Sequence, residues 1–350
     1  MHERLPCFLA GIPGLWNRPC KVIQPPTLAP KCKTPILRLA ALTQDDSKGH
    51  GVIRQAARYD KAMKLVWQSK LVMLLVLPIA AADIVLQIHW WLVNAPQVAI
   101  WTVGLSLLFA LVAGKAQSAT PAGAVAGAAI TAMLMFSSSK LPYAPWQTAL
   151  APILTLLVMT SLATRIGQGR KERLGTAEDR RGRRASQVAA NLGVAALLCS
   201  DLVQSWLADN SWLSHLAFTP ALLFSVSLAA LAEAAADTVS SELGQALGGQ
   251  PRMITTLRLV APGTDGAISL TGTLAGVAAA GIVALAGSLA LSGGFTMFWI
   301  ASAGGVFGLF FDSLLGATLE RRSWLNNDAV NFLSTASAAA FALGLLAIHR

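Results

Sequence analysis

Charge is scarce in this chain. Only 13% of its 350 residues are charged, whereas 54% are hydrophobic. A soluble globular domain has roughly 25% charged residues, and its core cannot bury so large an apolar fraction. The composition therefore excludes an ordinary soluble domain and favours a protein that sits in lipid.

Cysteine and histidine are also few, and neither forms a recognisable motif. The chain has four cysteines, and no CxxC or Cys/His pairing occurs among them, so neither a zinc site nor a disulfide framework is indicated. The five histidines show no acid/base constellation. GxSxG and HExxH motifs are absent as well. These absences exclude the best-known hydrolase and zinc-site patterns.

The first 62 residues contain no long apolar run. Scattered Pro, Lys and Arg residues without apolar periodicity predict a mostly disordered, basic tail. A signal peptide is not indicated, because the first apolar stretch is short and interrupted by proline. Met63 immediately precedes the first apolar block, so translation from Met63 is an alternative. We divide the chain into this tail (1–62) and a multipass membrane domain (63–350).

Long apolar blocks fill the rest of the chain. Each approaches the roughly 20 residues that a helix needs to cross the hydrocarbon core. They predict an all-α, polytopic integral membrane helix bundle with about nine transmembrane helices, in a range of seven to nine. The blocks span residues 71–94, 97–113, 122–137, 148–163, 187–206, 215–236, 269–292, 295–316 and 329–348.

Basic residues predict the orientation of the bundle. The segment from Thr164 to Arg184 is rich in arginine and is therefore expected in the cytoplasm. Because successive spans cross the membrane in opposite directions, this fixes the side of every other loop. Lys140 is then the only Lys or Arg residue in an interhelical loop on the outer side. We expect a cytoplasmic N-terminus and a bacterial inner membrane.

The net charge of +10 is attributed to this orientation signal and not to nucleic-acid binding. The tryptophans expected at the outer interface are Trp90, Trp91, Trp101, Trp146, Trp206, Trp212 and Trp299.

Acidic residues occur at the predicted inner ends of two membrane blocks. Glu233, Asp237 and Ser241 are spaced by four and so share one helix face. Asp312 lies on a face with several glycines, which leave room for a ligand. Carboxylates in a membrane segment often serve function, and Mg²⁺ typically takes one or two of them. Asp237 and Asp312 are therefore candidate metal ligands. Interfacial solvation or hydrogen bonding between helices is the alternative.

A glycine- and threonine-rich segment and several basic residues are candidates for phosphate binding. The stretch GTDGAISLTG, from Gly263 to Gly272, precedes a predicted helix and could offer backbone N–H groups to an anion. It lacks the GK[ST] ending of a Walker loop, and a plain interhelical turn is the alternative. The basic residues could clamp phosphates or simply contact lipid headgroups. They are Arg165, Lys171, Arg183, Arg184, Arg252 and Arg258.

Four ordered motifs resemble a known family. The motifs are AEAAADTVSSELG from Ala232, PRMITTLRLVAPGTDGAISLTGTLAG from Pro251, FDSLLGATLE from Phe311 and NNDAVNFLS from Asn326. Together they resemble the integral membrane family known as domain of unknown function 92, over about residues 65–348. The resemblance implies phosphorylation of an isoprenoid monophosphate, such as phytyl phosphate, to its diphosphate. The implied donor is a nucleoside triphosphate, either CTP or ATP.

The resemblance also implies a set of site residues. We expect Mg²⁺ at Asp237 and Asp312, with support from Glu242 or Asp265, and lipid and an isoprenoid phosphate as partners. No strong general base is needed, because the acceptor phosphate is already anionic. A transporter or lipid-handling protein without catalysis is the alternative, which broken helices in matching halves would favour. The positions carried over are Asp237, Ser241, Glu242, Gly263, Thr264, Gly266, Asp312, Ser313, Asn327 and Asn331.

Overall fold

Helices make up most of the protein. The computed structural model describes residues 65–177, 181–209 and 220–348. The predicted tail (1–62), the alternative start at Met63 and the outer-interface residue Trp212 lie outside the described residues. Within those ranges the only strands form one short pair, so the predicted all-α architecture is confirmed.

Eleven α-helices lie in the described part of the chain, and we number them in order. They are α1 (Val66–Asn94), α2 (Pro96–Lys115), α3 (Pro121–Ser138), α4 (Leu150–Arg165), α5 (Gln168–Leu174), α6 (Ala185–Cys199), α7 (Asp201–Asp209), α8 (Pro220–Leu247), α9 (Leu270–Ala290), α10 (Gly294–Leu315) and α11 (Asn327–Ile348). A 3₁₀ turn (Pro145–Gln147) precedes α4, and a π-helical turn (Gly316–Glu320) follows α10. Strand β1 (Arg252–Met253) pairs antiparallel with β2 (Ala267–Ile268).

The number of candidate membrane spans agrees with the prediction. Seven of the described helices are long and apolar enough to cross a membrane, and two bent pairs raise the number to nine. The pair α4 and α5 bends by 64°, and the pair α6 and α7 bends by 55°. Helix α8 continues to Leu247, well beyond the predicted end at 236. It does so because Val239 and Ala246 remain buried. The polar residues between them make contacts on the other faces of the helix.

Helix α8 forms the centre of the bundle. It packs against α4, α6, α9, α10 and α11. In its apolar 18-residue stretch, 83% of the residues are buried. Small residues allow this close packing. A Cβ atom on Gly308 of α10 would lie 2.4 Å from the Cγ atom of Glu233, and one on Gly276 of α9 would lie 2.9 Å from the backbone oxygen of Ala236. The acidic face of α8 is therefore enclosed by α9 and α10.

The polar loops meet at one end of the bundle, which we call the loop end. The Asn326 side chain donates to the backbone oxygen of Leu65 (2.8 Å), which joins the loop before α11 to the start of α1. The backbone N–H of Thr120 donates to the carbonyl of Arg183 (2.9 Å). Contacts of this kind join four interhelical loops and the start of α1 into one surface.

The opposite end of the bundle has a different surface. Lys140 is the only lysine or arginine there among the described residues. Exposed tryptophans also occur at this end, as expected of residues at a membrane interface. These are Trp90, Trp101, Trp146, Trp206 and Trp299.

Candidate functional site

A cavity of about 270 Å³ opens at the loop end. It lies between the end of α8, the segment that joins α8 to α9, and the end of α10. Most of the residues carried over from the family motifs line it. Those that do so are Asp237, Ser241, Gly263, Thr264, Gly266, Asp312, Ser313 and Asn327.

Two carboxylates from neighbouring helices face one another in this cavity. Asp237 of α8 and Asp312 of α10 lie close enough for their carboxyl groups to interact directly. Among the described residues, Oδ1 of Asp312 is buried without a hydrogen-bond partner. One turn deeper, Glu233 is 1% exposed, and its Oε1 also lacks a partner within the described part of the chain. Because such groups are costly to bury unpaired, this is a place where a ligand gains favourable contacts.

The glycine- and threonine-rich loop forms the facing wall of the cavity. Gly263 and Gly266 have φ angles of +77° and +74°, a left-handed conformation that glycine adopts readily. A Cβ atom on Gly266 would lie 2.2 Å from the backbone nitrogen of Ala317, so the loop also packs tightly on the turn after α10. Ser269, which lines the cavity, accepts from the N–H of Gly272 (3.1 Å) and caps α9. The start of a membrane helix therefore borders the cavity.

The two carboxylates fit some metal ions and not others. The described residues contain no group of three His, Cys, Asp or Glu side chains arranged to hold a metal. An ion held entirely by protein ligands, such as structural zinc, is therefore not indicated by these residues. A hydrated Mg²⁺ needs only one or two carboxylates and keeps water or phosphate oxygens in its other positions. The unpaired Oδ1 atom of Asp312 beside Asp237 fits that requirement.

Two of the predicted site residues pair with each other outside the cavity. Lys171 is 1% exposed, and its Nζ donates to Oε2 of Glu242 (2.5 Å) and to the backbone oxygen of Thr164 (2.5 Å). Neither charged residue lines the cavity. The pair instead fastens the short helix α5 to the ends of α4 and α8.

Two predicted arginines lie in a second, larger cleft. Arg165 and Arg183 line a cleft of about 740 Å³ beside α4 and α5. Arg165 donates to the backbone oxygen of Ala116 (2.8 Å), and Arg183 donates to the hydroxyl of Thr160 (3.1 Å). Arg183 is also close enough to Asp237 for their charges to interact. Arg183 thus connects this cleft electrostatically to the carboxylate cavity.

The remaining predicted residues lie elsewhere on the loop end. Arg184, Arg252 and Arg258 are exposed, and none of them lines the cavity or the second cleft. Asn331 does not line the cavity either; its side-chain nitrogen donates to Oδ1 of Asn191 on α6 (2.8 Å). The loop end therefore holds the predicted set, and the cavity brings together half of it.

Several cavity residues were missed from the sequence. Ser240, Gly244 and Gln245 lie three, seven and eight positions after Asp237 and therefore on its side of α8, so helical spacing could have found them. Ser269 carries no comparable signal. Its place in the cavity depends on how the segment between α8 and α9 folds back.

A multipass helical membrane protein with a carboxylate-lined cavity at one end of the bundle is the class that this fold and site define. The chain belongs to the integral membrane protein family DUF92, whose family model matches residues 104–339. The family resemblance of the four motifs is thereby confirmed. No solved structure matches the chain.

Relatives occur in bacteria, archaea and plants. An uncharacterized membrane protein of Synechocystis is 35% identical over 197 residues, which are 55% of this chain and 72% of that protein. An uncharacterized membrane protein of Methanocaldococcus jannaschii is 46% identical over 108 residues, 31% of this chain and 45% of the relative. Protein VTE6, chloroplastic, of Arabidopsis thaliana is 34% identical over 187 residues, 51% of this chain and 52% of that protein. The match thus spans about half the length of the archaeal protein and of Protein VTE6.

Proposed function

We propose that this protein is a membrane phosphotransferase that converts an isoprenoid monophosphate to its diphosphate. The arrangement that supports the proposal is the carboxylate pair Asp237 and Asp312 facing the backbone of the loop 263–266 across a cavity. The resemblance to the family motifs supplies the reaction class. A phosphate on a lipid tail suits this position, because the tail can stay among membrane helices while the phosphate lies at the polar end.

The reaction consists of a single phosphoryl transfer. An oxygen of the prenyl monophosphate attacks the γ-phosphorus of the nucleoside triphosphate and forms the new P–O bond. The bond from the γ-phosphorus to the β,γ-bridging oxygen breaks, and the nucleoside diphosphate leaves with its electron pair. The acceptor oxygen is already anionic near neutral pH, so positioning and charge neutralisation matter more than proton removal.

The residues around the cavity divide this task. Asp237 and Asp312 hold Mg²⁺, which neutralises phosphate charge when it is bound. Backbone N–H groups of the loop 263–266 and the start of α9 bind phosphate oxygens. Ser241, Ser313 and Asn327 line the same space and contribute polar contacts. Arg183 adds positive charge beside Asp237.

The orientation belongs to the proposal as well. The loop end faces the cytoplasm of a bacterial inner membrane, where nucleotides are available, and the tail is cytoplasmic. The lysine and arginine distribution supports this side for the loop end. A membrane-impermeant maleimide should label Lys140→Cys in intact cells and Arg322→Cys only after permeabilisation, with Cys7, Cys20 and Cys32 replaced by serine. The reverse pattern would contradict the orientation.

The activity is tested on purified protein in nanodiscs. Wild type, Asp237→Asn and Asp312→Asn are incubated with phytyl or geranylgeranyl monophosphate, Mg²⁺ and γ-labelled CTP or ATP. Diphosphate formation should fall about 100-fold or more in either variant, which is typical when one group that stabilises transition-state charge is removed. Asp209→Asn is the matched control, because it makes the same change on an exposed residue of α7.

Three outcomes would count against the proposal. If wild type forms no more diphosphate than the two cavity variants with either donor, the protein is not this kinase. Movement of the labelled lipid across a liposome membrane without phosphorylation would instead favour the transport alternative. If Asp209→Asn lost as much activity as the cavity variants, the assignment of the site to the cavity would be wrong.

A further inference from the structure

A narrow apolar crevice lies beside α8, on a face of the helix next to the one that lines the carboxylate cavity. It runs between α2, α3, α4, α6 and α8 and has a volume of about 50 Å³. Aliphatic and aromatic side chains and small residues form its walls, including Phe109, Gly127, Ile153, Leu156 and Val188. Its lining carries almost no polar surface below the mouth, so it suits a hydrocarbon chain better than a headgroup or an ion.

The mouth of the crevice is polar and lies close to the proposed reaction centre. Ser118 and Arg183 line both the crevice and the larger cleft, so the two spaces adjoin at these residues. Thr238 lines the crevice from α8 and directly follows Asp237, which lines the carboxylate cavity. The charge of Arg183 also acts on Asp237. A phosphate at the mouth would therefore sit between Arg183 and the catalytic cavity.

The crevice is placed so that a lipid chain can reach it from the bilayer. Helices α2 and α4 both line it, and they have little direct contact beyond the hydrogen bond from Arg165 to the backbone oxygen of Ala116 at the loop end. Their outer faces carry exposed apolar side chains such as Leu111 and Leu162. Because the crevice itself is narrow, it holds only the part of a chain nearest the phosphate. The remainder of the chain lies in the bilayer along these outer faces.

We propose that this crevice binds the phosphate-proximal part of the isoprenoid tail, with Arg183 binding the phosphate that the tail carries. This inference rests on the proposed function and adds to it the place where the acceptor lipid binds. The carboxylate cavity then receives the nucleotide phosphates, and the acceptor phosphate meets them beside Asp237. The two substrates therefore bind along neighbouring faces of α8.

Gly127 offers a way to close the crevice without disturbing the backbone. A Cβ atom there would lie 3.4 Å from Cε1 of Phe109 and 3.9 Å from Cγ1 of Val188, which are ordinary contact distances. Gly127→Ala should therefore be tolerated, whereas the larger side chain of Gly127→Leu occupies the crevice. Gly104→Leu is the matched control, because Gly104 is exposed on α2 and a Cβ atom added there would have no neighbour within 4 Å.

The experiment is photo-crosslinking in nanodiscs with a 20-carbon prenyl monophosphate that carries a diazirine near the phosphate. In wild type the label should fall on residues of α2, α3, α4 or α6 that line the crevice. Labelling should drop about tenfold in Gly127→Leu, since the apolar contacts of the tail are lost, and stay near wild type in Gly127→Ala and Gly104→Leu. Label in wild type that falls mainly on α9, α10 or α11 would overturn the inference. Undiminished crevice labelling in Gly127→Leu would do the same.

A second measurement separates this inference from the proposed function. The same proteins are assayed for diphosphate formation with methyl phosphate, which has no isoprenoid tail, and with a 20-carbon monophosphate. If the crevice binds the tail, Gly127→Leu raises KM for the 20-carbon substrate about tenfold and changes the methyl phosphate reaction little. Crevice labelling without any diphosphate product refutes the kinase and leaves the lipid site standing. Diphosphate formation with equal losses for both substrates in Gly127→Leu refutes the lipid site alone.

Discussion

Both ends of the bundle bury a carboxylate on a membrane helix, and the two carboxylates have different surroundings. At the end opposite the loops, Asp83 of α1 is fully buried. Its Oδ1 accepts from the Ser200 hydroxyl (3.0 Å) and from the N–H groups of Asp201 (2.9 Å) and Leu202 (3.4 Å). At the loop end, Oδ1 of Asp312 has no partner among the described residues and belongs to a cavity wall.

The comparison shows that a carboxylate in a membrane segment is not by itself a sign of function. Asp83 supplies acceptors for the first N–H groups of α7, where the chain bends after α6, and so completes the end of a helix. Gln87 strengthens the same corner by donating to the carboxylate of Asp201. Among the described residues, Asp312 accepts from no such backbone group. Each carboxylate keeps one buried oxygen without a partner in the described part of the chain, Oδ2 of Asp83 and Oδ1 of Asp312. What distinguishes the candidate site is that Asp312 borders open space and that its Oδ1 is the unpaired oxygen, whereas Oδ1 of Asp83 binds the end of a helix.

The largest expected effect is on the activity of Asp312→Asn. Diphosphate formation should fall about 100- to 1,000-fold, because a charge that acts in phosphoryl transfer is removed. Thermal unfolding in detergent should be unchanged or slightly shifted upward, since the substitution breaks no hydrogen bond made by Oδ1. A loss of stability that accounts for the lost activity would remove the distinction between the two carboxylates.

The next largest effect concerns the buried ion pair of the loop end. Lys171→Met should lower the free energy of unfolding by about 2 to 4 kcal/mol, because Glu242, which is 13% exposed, loses its partner in a largely buried place. The double variant Lys171→Met, Glu242→Leu should recover most of that loss, since a hydrophobic pair can replace a buried ion pair. Denaturation in detergent measures both. A single variant that lost activity at full stability would show that Lys171 binds phosphate after all.

At the opposite end, two substitutions of Asp83 should differ from one another. Asp83→Ala leaves a hydroxyl and two backbone N–H groups without their acceptor and should cost about 2 to 4 kcal/mol of stability. Asp83→Asn keeps an acceptor oxygen and should cost less than about 1 kcal/mol. Activity per folded molecule should remain near wild type in both, as measured after size-exclusion purification. Equal damage from Asn and Ala would show that the charge of Asp83 matters.

The smallest effect is expected for the exposed loop arginines. Arg258→Gln should change KM for either substrate by less than about twofold and leave the unfolding temperature unchanged, as is usual for an exposed residue away from the site. Steady-state kinetics at two salt concentrations measure this. A tenfold rise in KM for the nucleotide would show that the loop between α8 and α9 moves to bring Arg258 to the phosphates.

Much of the fold could be predicted because hydropathy is a local property of the chain. The nine apolar blocks correspond to the seven single-helix candidates and the two bent pairs. The main boundary error, the end of α8, arose because the run from Asp237 to Leu247 is polar in sequence and yet helical. Its polar residues are accommodated by the cavity on one side and by Lys171 on another. A hydropathy profile contains no information about such neighbours.

The site was predicted best where several signals agree at one position. Asp237 and Asp312 combine charge, helical spacing and neighbouring glycines, and both line the cavity. Lys171 and Glu242 each look like candidate ligands in sequence, but 71 residues separate them and they pair only after folding. Asn331 finds its partner Asn191 at a separation of 140 residues. Neither pairing leaves a trace in the local pattern.

The sequence by itself determined that the chain is a multipass helical membrane protein with its polar motifs in the loops of one end. Apolar blocks and charged loops are sufficient for this, because each segment partitions between lipid and water largely according to its own composition. The tertiary structure alone decided which charges are open to a ligand. Oδ1 of Asp83 and Nζ of Lys171 are paired with groups far away in the chain, and Asp312 faces a cavity. The physical reason is that the partner of a buried charge is set by the packing of distant helices.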